Sequence, residues 1–254
     1  MLKLWGGTMA TGTLKVVWAL EELNLPYHRA DGPPDPSVAS AGRSRSGANT
    51  LDPVLCLQDG DFSVCEGHAI LRYLCNAHVP DNALYPADPR ARADIDAWLD
   101  FEATAMEPPA QTVFTAMVQT GARDDRMISD ALRDWVGQWR TIEVRLARNR
   151  FVAGGQLTLA DIAFGPALHR WFALRIPGQP AMPHLRAWYD MLMTRPAYRT
   201  HLAMPLAQVQ WTSLPAIARP APPAGHWFRY DTNNKVLTTA AAQRAIRMPV
   251  LAGR

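Results

Sequence analysis

The pattern of apolar runs changes once along this chain, near Asp88-Pro89, and that change constrains the fold more than any other feature. Before it the runs are short and alternate in type. Leu2 to Trp5 reads as a strand. Val16, Ala19, Leu20 and Leu23 fall at i, i+3, i+4 and i+7, one face of a helix. That helix stops at Pro26, which cannot continue it. Tyr27 to Arg29 opens a second strand. Pro53 to Leu57 is an apolar run, Gln58-Asp-Gly-Asp61 is a hairpin turn signal, and Phe62 to Cys65 is the returning strand. Ala69 to Leu74 is helical. The order β-α-β, hairpin, α in about 80 residues is a compact α/β unit. After Asp88 only helices are expected, roughly Arg90–Met106, Arg126–Asn149, Leu159–Leu174 and Pro183–Met193. The expected organisation is a first domain over 1–79, a linker over 80–88, an all-helical domain over 89–204 and an extended, proline-rich tail over 205–254.

Composition removes several classes of function. The net charge of +3 and the scattered arginines give no footprint for nucleic acid. No stretch approaches the roughly 20 apolar residues of a membrane-spanning helix, and the N-terminal residues lack the pattern of a secretion signal. Cys56, Cys65 and Cys75 are odd in number and have no CxxC spacing, so neither a disulfide framework nor a metal site is expected. The expected compartment is a reducing cytoplasm. Cys65 is read as a buried apolar residue without a catalytic part.

Several segments, taken in order, resemble the cytosolic glutathione transferases. They are Lys3-Leu-Trp-Gly6, Lys15-Val-Val-Trp-Ala-Leu-Glu-Glu-Leu-Asn-Leu-Pro-Tyr27, Asp59-Gly-Asp61, Glu66-Gly-His-Ala-Ile-Leu-Arg-Tyr-Leu74, Leu84-Tyr-Pro-Ala-Asp-Pro-Arg90 and Phe151-Val-Ala-Gly-Gly-Gln-Leu-Thr-Leu-Ala-Asp-Ile162. The resemblance spans about Leu2 to Leu206. It implies a thioredoxin-like α/β domain that holds glutathione, an all-α domain that supplies the second pocket, and a homodimer. No metal, nucleic acid or membrane partner is implied.

Site roles follow from the same resemblance. It implies a cis Asp52-Pro53 bond that presents the Asp52 backbone to the tripeptide as an added strand; an ordinary trans proline at a strand edge is the alternative. Glu66 and Gly67 stand where an acid and a serine hold the γ-glutamyl end. Gly67 lacks the hydroxyl, so only its N–H remains, with His68 beside it. Arg43, Arg45 and Asn49 stand where polar groups meet the glycyl carboxylate. The usual serine-type catalytic position is Ala10, which has no hydroxyl. Thr11 beside it either donates to the thiolate or caps the helix; the two roles are compatible. Met106, Phe114, Met117 and Trp171 are candidates for an apolar electrophile pocket or, equally, for plain core. Thr158-Leu-Ala-Asp161 has the form of a capping box. Attack by glutathione thiolate on a small apolar electrophile is the leading expectation. The departures at Ala10 and Gly67 keep two others open: a glutathione-dependent isomerisation, lyase or reductive cleavage reaction, and a non-catalytic binding protein.

Overall fold

A computed structural model describes residues 1–30, 55–118, 124–174, 176 and 178–203. These belong to one compact unit, Met1–Ala218. It opens with β1 (Leu2–Trp5), α1 (Thr11–Glu22) and β2 (Tyr27–Arg29), followed by β3 (Cys56–Asp59), β4 (Phe62–Cys65) and α2 (Gly67–His78). The four strands form one mixed sheet in the order β2-β1-β3-β4. β1 runs parallel to β2 and antiparallel to β3. The right-handed crossover expected of a β-α-β unit is supplied by α1.

The β3–β4 hairpin turns at Gly60, whose φ of +61° suits the first central position of a two-residue loop. Its register pairs Cys56 with Cys65, Leu57 with Val64 and Asp59 with Phe62. This corrects the reading of the cysteines: Cys56 and Cys65 form a disulfide, with Cα atoms 4.2 Å apart. The two cysteines are equidistant from the turn, so the antiparallel register sets them face to face. Cys75 remains a buried thiol, and burial pushes its pKa up to about 11.

The remainder is helical: α3 (Pro89–Phe101), a π-helical turn (Glu102–Met106), α4 (Glu107–Val118), α5 (Asp125–Leu146), α6 (Leu159–Ala173), α7 (Pro183–Met193) and α8 (Pro196–His201). The expected helix 90–106 therefore continues past its expected end. Pro108 and Pro109 lack an N–H to pair with the preceding turn, and they directly follow the π turn, where the helical hydrogen-bond pattern has already shifted from i−4 to i−5. Asp88 caps α3 by accepting from the Ala91 N–H at 2.8 Å. The capping box at α6 forms as the motif predicts: Asp161 accepts from the Thr158 N–H at 2.9 Å and from the Val152 N–H at 2.9 Å.

The two halves share one core. α1 is buried on nearly every side, from Thr11 to Leu20, rather than along a single face. It packs against α2 of the first half and against α6 and α8 of the helical half. Trp18 of α1 is fully buried and lies edge-on to Tyr198 of α8 at 4.8 Å. Gly165 of α6 lets the helix approach it: a Cβ there would lie 2.4 Å from Trp18 Cζ3. The Tyr198 hydroxyl donates to the Gly165 carbonyl at 2.9 Å. Arg195 and Glu22 add an ion pair at the rim of this contact.

Candidate functional site

Two helix N-termini converge beneath the end of the sheet. A Cβ at Gly67, the first residue of α2, would lie 3.5 Å from the Cα of Gly12 in the first turn of α1. The first N–H groups of a helix have no intrahelical partner and carry partial positive charge, so the junction favours an anion. Ala10 is the N-cap residue of α1 and supplies no side-chain cap. Glu66 stands at the N-cap position of α2, but its carboxylate makes no capping bond there. Its φ is +77°, a conformation that costs a non-glycine residue about 1–3 kcal/mol and recurs at ligand sites. The strand-to-helix corner is thus built to turn Glu66 outward, where it is exposed.

The helical domain contributes a cluster of charges to the same place. Lys15 of α1 donates to both carboxylate oxygens of Glu102 at 2.8 Å and to Glu107 at 3.3 Å. Glu102 is fully buried. His68 Nε2 of α2 lies 3.1 Å from the same carboxylate. The Thr11 hydroxyl donates to Glu107 Oε1 at 2.6 Å. Arg170 of α6 donates to the Met9 carbonyl at 2.7 Å, and its guanidinium lies 3.6 Å from the centre of the Phe114 ring. Burial opposes the charge on Lys15, but the two carboxylates outweigh it and hold the ammonium above its ordinary value. Burial also pushes the Glu107 carboxyl up. Lys15, the Glu102 side chain, the Thr11 hydroxyl and Arg170 pull it down further, to about 2.

The π turn explains why two carboxylates five residues apart reach one ammonium. In a regular α-helix, residues i and i+5 point about 140° apart. Here the Glu107 N–H donates to the Glu102 carbonyl, closing an i to i+5 turn that stacks the two residues on one side.

The remaining expected site residues divide clearly. Ala10, Thr11, Glu66, Gly67 and His68 come together. Arg43, Arg45, Asn49, Asp52 and Pro53 lie outside the described residues, as does the side chain of Met117. Met106 is fully buried. Trp171 is buried among Trp135, at 5.1 Å, and Trp139, at 6.2 Å. Phe114 is half-buried beneath Arg170. Sequence reading missed Lys15, Glu102, Glu107 and Arg170. One signal was present: Glu102 continues the stripe of Ile95, Trp98 and Leu99, and a charge in phase with an apolar face marks a buried polar group. Among the described residues, no group of three or more His, Cys, Asp or Glu side chains is placed to hold a metal, and no helix is long and apolar enough to cross a membrane.

Comparison with known proteins agrees with this architecture. Residues 110–190 match the family model described as glutathione S-transferase, C-terminal domain. The chain is 30% identical over 217 residues to glutathione S-transferase 3 of Zea mays, covering 81% of this chain and 95% of that protein. It is 27% identical over 210 residues to glutathione S-transferase GstB of Escherichia coli K12, covering 82% of this chain and all of the relative. Among solved structures, a theta class glutathione S-transferase from Xanthomonas axonopodis pv. citri with glutathione bound superposes with a TM-score of 0.70 at 28% identity, over 80% of this chain and 97% of that one. With an α/β first half, an all-helical second half and relatives aligned along nearly their whole length, the chain belongs to the glutathione S-transferase family.

Proposed function

We propose that this protein is a glutathione-dependent transferase that uses the glutathione thiolate to attack a small, largely apolar electrophile. The observation that carries the reading is the convergence of the α1 and α2 N-termini at Gly12 and Gly67, with an outward-turned Glu66 beside them. In this reading Glu66 takes the ammonium of the γ-glutamyl end, and the Gly67 N–H donates to its carboxylate. Asp52 pairs with the tripeptide backbone at Pro53, and Arg43 and Asn49 serve the glycyl end. The sulfur rests over the opening turn of α1, next to Ala10 and Thr11. Its proton leaves to solvent, the sulfur lone pair forms a bond to the electrophilic carbon, and the displaced group departs with the bonding electrons. Lowering a thiol pKa by two units takes about 2.7 kcal/mol of preference for the thiolate. Part of that comes from the helix dipole. Phe114 supplies apolar surface to the second substrate, and the working form is a homodimer.

The test is turnover with glutathione and an activated aryl halide, following the thioether product and the loss of free thiol together. Glutathione neither retained by the protein nor consumed with any of a panel of electrophiles sinks the proposal. A second reading, in which glutathione takes part and is returned unchanged, draws on the missing hydroxyl at Ala10 and on the Thr11 hydroxyl being committed to Glu107. It is favoured if product forms while the glutathione concentration stays constant.

A further inference from the structure

We infer that Glu107 is a positioning residue that turns the Thr11 hydroxyl away from the glutathione sulfur, leaving the thiolate to the backbone N–H groups of α1. This rests on the proposed placement of the sulfur over that turn. A threonine has one O–H to donate, and an ionised carboxylate only accepts. The Thr11–Glu107 contact of 2.6 Å is a short, charge-assisted bond, stronger than a neutral one. The Thr11 proton is therefore committed, and what the hydroxyl offers the sulfur is a lone pair. A lone pair repels a thiolate and accepts from a thiol, so Thr11 in this state opposes ionisation.

The contact is held in place from several sides. Lys15 holds the other Glu107 oxygen at 3.3 Å and is itself fixed by Glu102 at 2.8 Å. The π turn aims both carboxylates at that ammonium. Among the described residues, the other charged or titratable groups near this point are His68 from α2 and Arg170 from α6, with Glu66 at the α2 corner. None of them is altered in the variants below, so their effects cancel in the comparison.

Glu107→Gln keeps the size of the side chain and an oxygen for Lys15, but presents an amide N–H₂ to the Thr11 oxygen. The hydroxyl proton is then released toward the sulfur. Titrating the ultraviolet absorbance of enzyme-bound glutathione thiolate against pH reads the consequence. Glu107→Gln is expected to ionise bound glutathione at a pH lower by roughly one unit or more, the worth of one charge-assisted hydrogen bond. Thr11→Val alone removes that opposing lone pair and is expected to leave the midpoint at or slightly below that of the wild type, with no rise. Thr11→Val in the Glu107→Gln background is expected to abolish most of the shift, and Thr11→Ser in that background to retain it. If the double variant with valine keeps the whole shift, removal of the Glu107 charge alone accounts for it and the inference is overturned. A large rise in the midpoint with Thr11→Val in the otherwise unaltered protein also overturns it, since Thr11 would already be donating. Failure of the wild type to bind glutathione overturns the proposed function, and this inference with it; a bound thiol whose midpoint ignores Glu107 overturns this inference alone.

Discussion

Replacing Lys15 by methionine removes the ammonium that joins the first helix to the π turn. Lys15 Nζ is shielded from water and donates to both oxygens of Glu102, whose side chain has no exposed surface. Methionine refills most of the lysine's length with apolar atoms, so the loss is mainly electrostatic. Among the described residues, Glu102 then keeps His68, 3.1 Å away, and the Glu107 carboxyl as nearby groups, and no ammonium. Breaking a buried pair by removing one member costs about 3–5 kcal/mol, because the other charge stays buried and uncompensated. At roughly 1.4 kcal/mol per tenfold, the folded-to-unfolded ratio falls by a hundredfold or more. Urea denaturation followed by tryptophan fluorescence and far-ultraviolet circular dichroism measures this. With m near 3 kcal/mol/M the midpoint drops by roughly 1 M or more. Coincidence of the two signals checks that a single transition is being read. The companion variant Lys15→Met/Glu102→Leu replaces the whole pair with apolar groups and is expected to recover most of the stability, as buried pairs exchanged for well-packed apolar residues generally do. A Lys15→Met protein within about 1 kcal/mol of wild type would refute the reasoning, because the ammonium would then have to reach water. A double variant no more stable than the single one would show that Glu102 is not the stranded charge.

Gly165→Ala sets two effects against each other. Helix propensity favours alanine by about 1 kcal/mol, but the new Cβ would lie 2.4 Å from Trp18, which Tyr198 boxes in. The expected outcome is a net loss of about 1–3 kcal/mol, and a raised melting temperature would contradict it. Asp161→Ala leaves the buried Val152 and Thr158 N–H groups without their acceptor. At about 1–3 kcal/mol each, it is expected to be among the most destabilising single changes in the helical domain, measured by denaturant unfolding. Gly67→Ser restores a hydroxyl at the α2 corner, where a Cβ meets its nearest neighbour at an ordinary 3.5 Å. Calorimetry is expected to show glutathione bound about tenfold tighter, and unchanged affinity would remove that corner from the γ-glutamyl site. Cys65→Ser, or reduction with dithiothreitol, opens the loop between Cys56 and Cys65, nine residues apart. It is expected to cost about 2–3 kcal/mol on loop-closure grounds, and equal stability with and without reductant would count against a formed bond.

The elements were legible wherever a local rule governs them. β1, β2, β4 and α7 have the expected bounds, the hairpin signalled by Gln58–Asp61 turns at Gly60-Asp61, and the Thr158–Asp161 box forms as its residues dictate. The convergence of the two helix N-termini also follows from the order of strands and helices. The misses share one cause. The helix expected over 90–106 continues through a π turn into α4, a change of hydrogen-bond register that no spacing rule announces. The cysteine pair was missed because counting cysteines ignores register, and register is what places Cys56 opposite Cys65.

Periodicity, turn chemistry and capping act between residues a few positions apart, so the sequence alone determines most of the strands and helices and the α/β-then-α order of the chain, while β3 runs on into Gln58 and Asp59, read as turn. The cluster of Thr11, Lys15, His68, Glu102 and Glu107 joins residues up to 96 positions apart. No local pattern states that Lys15 is buried, because it is covered only when the helical domain packs onto α1 and brings Glu102 and Glu107 to it. Which proton Thr11 can give, and to whom, was therefore decided by tertiary structure, since a hydroxyl's direction is set by the acceptor that folding brings within reach.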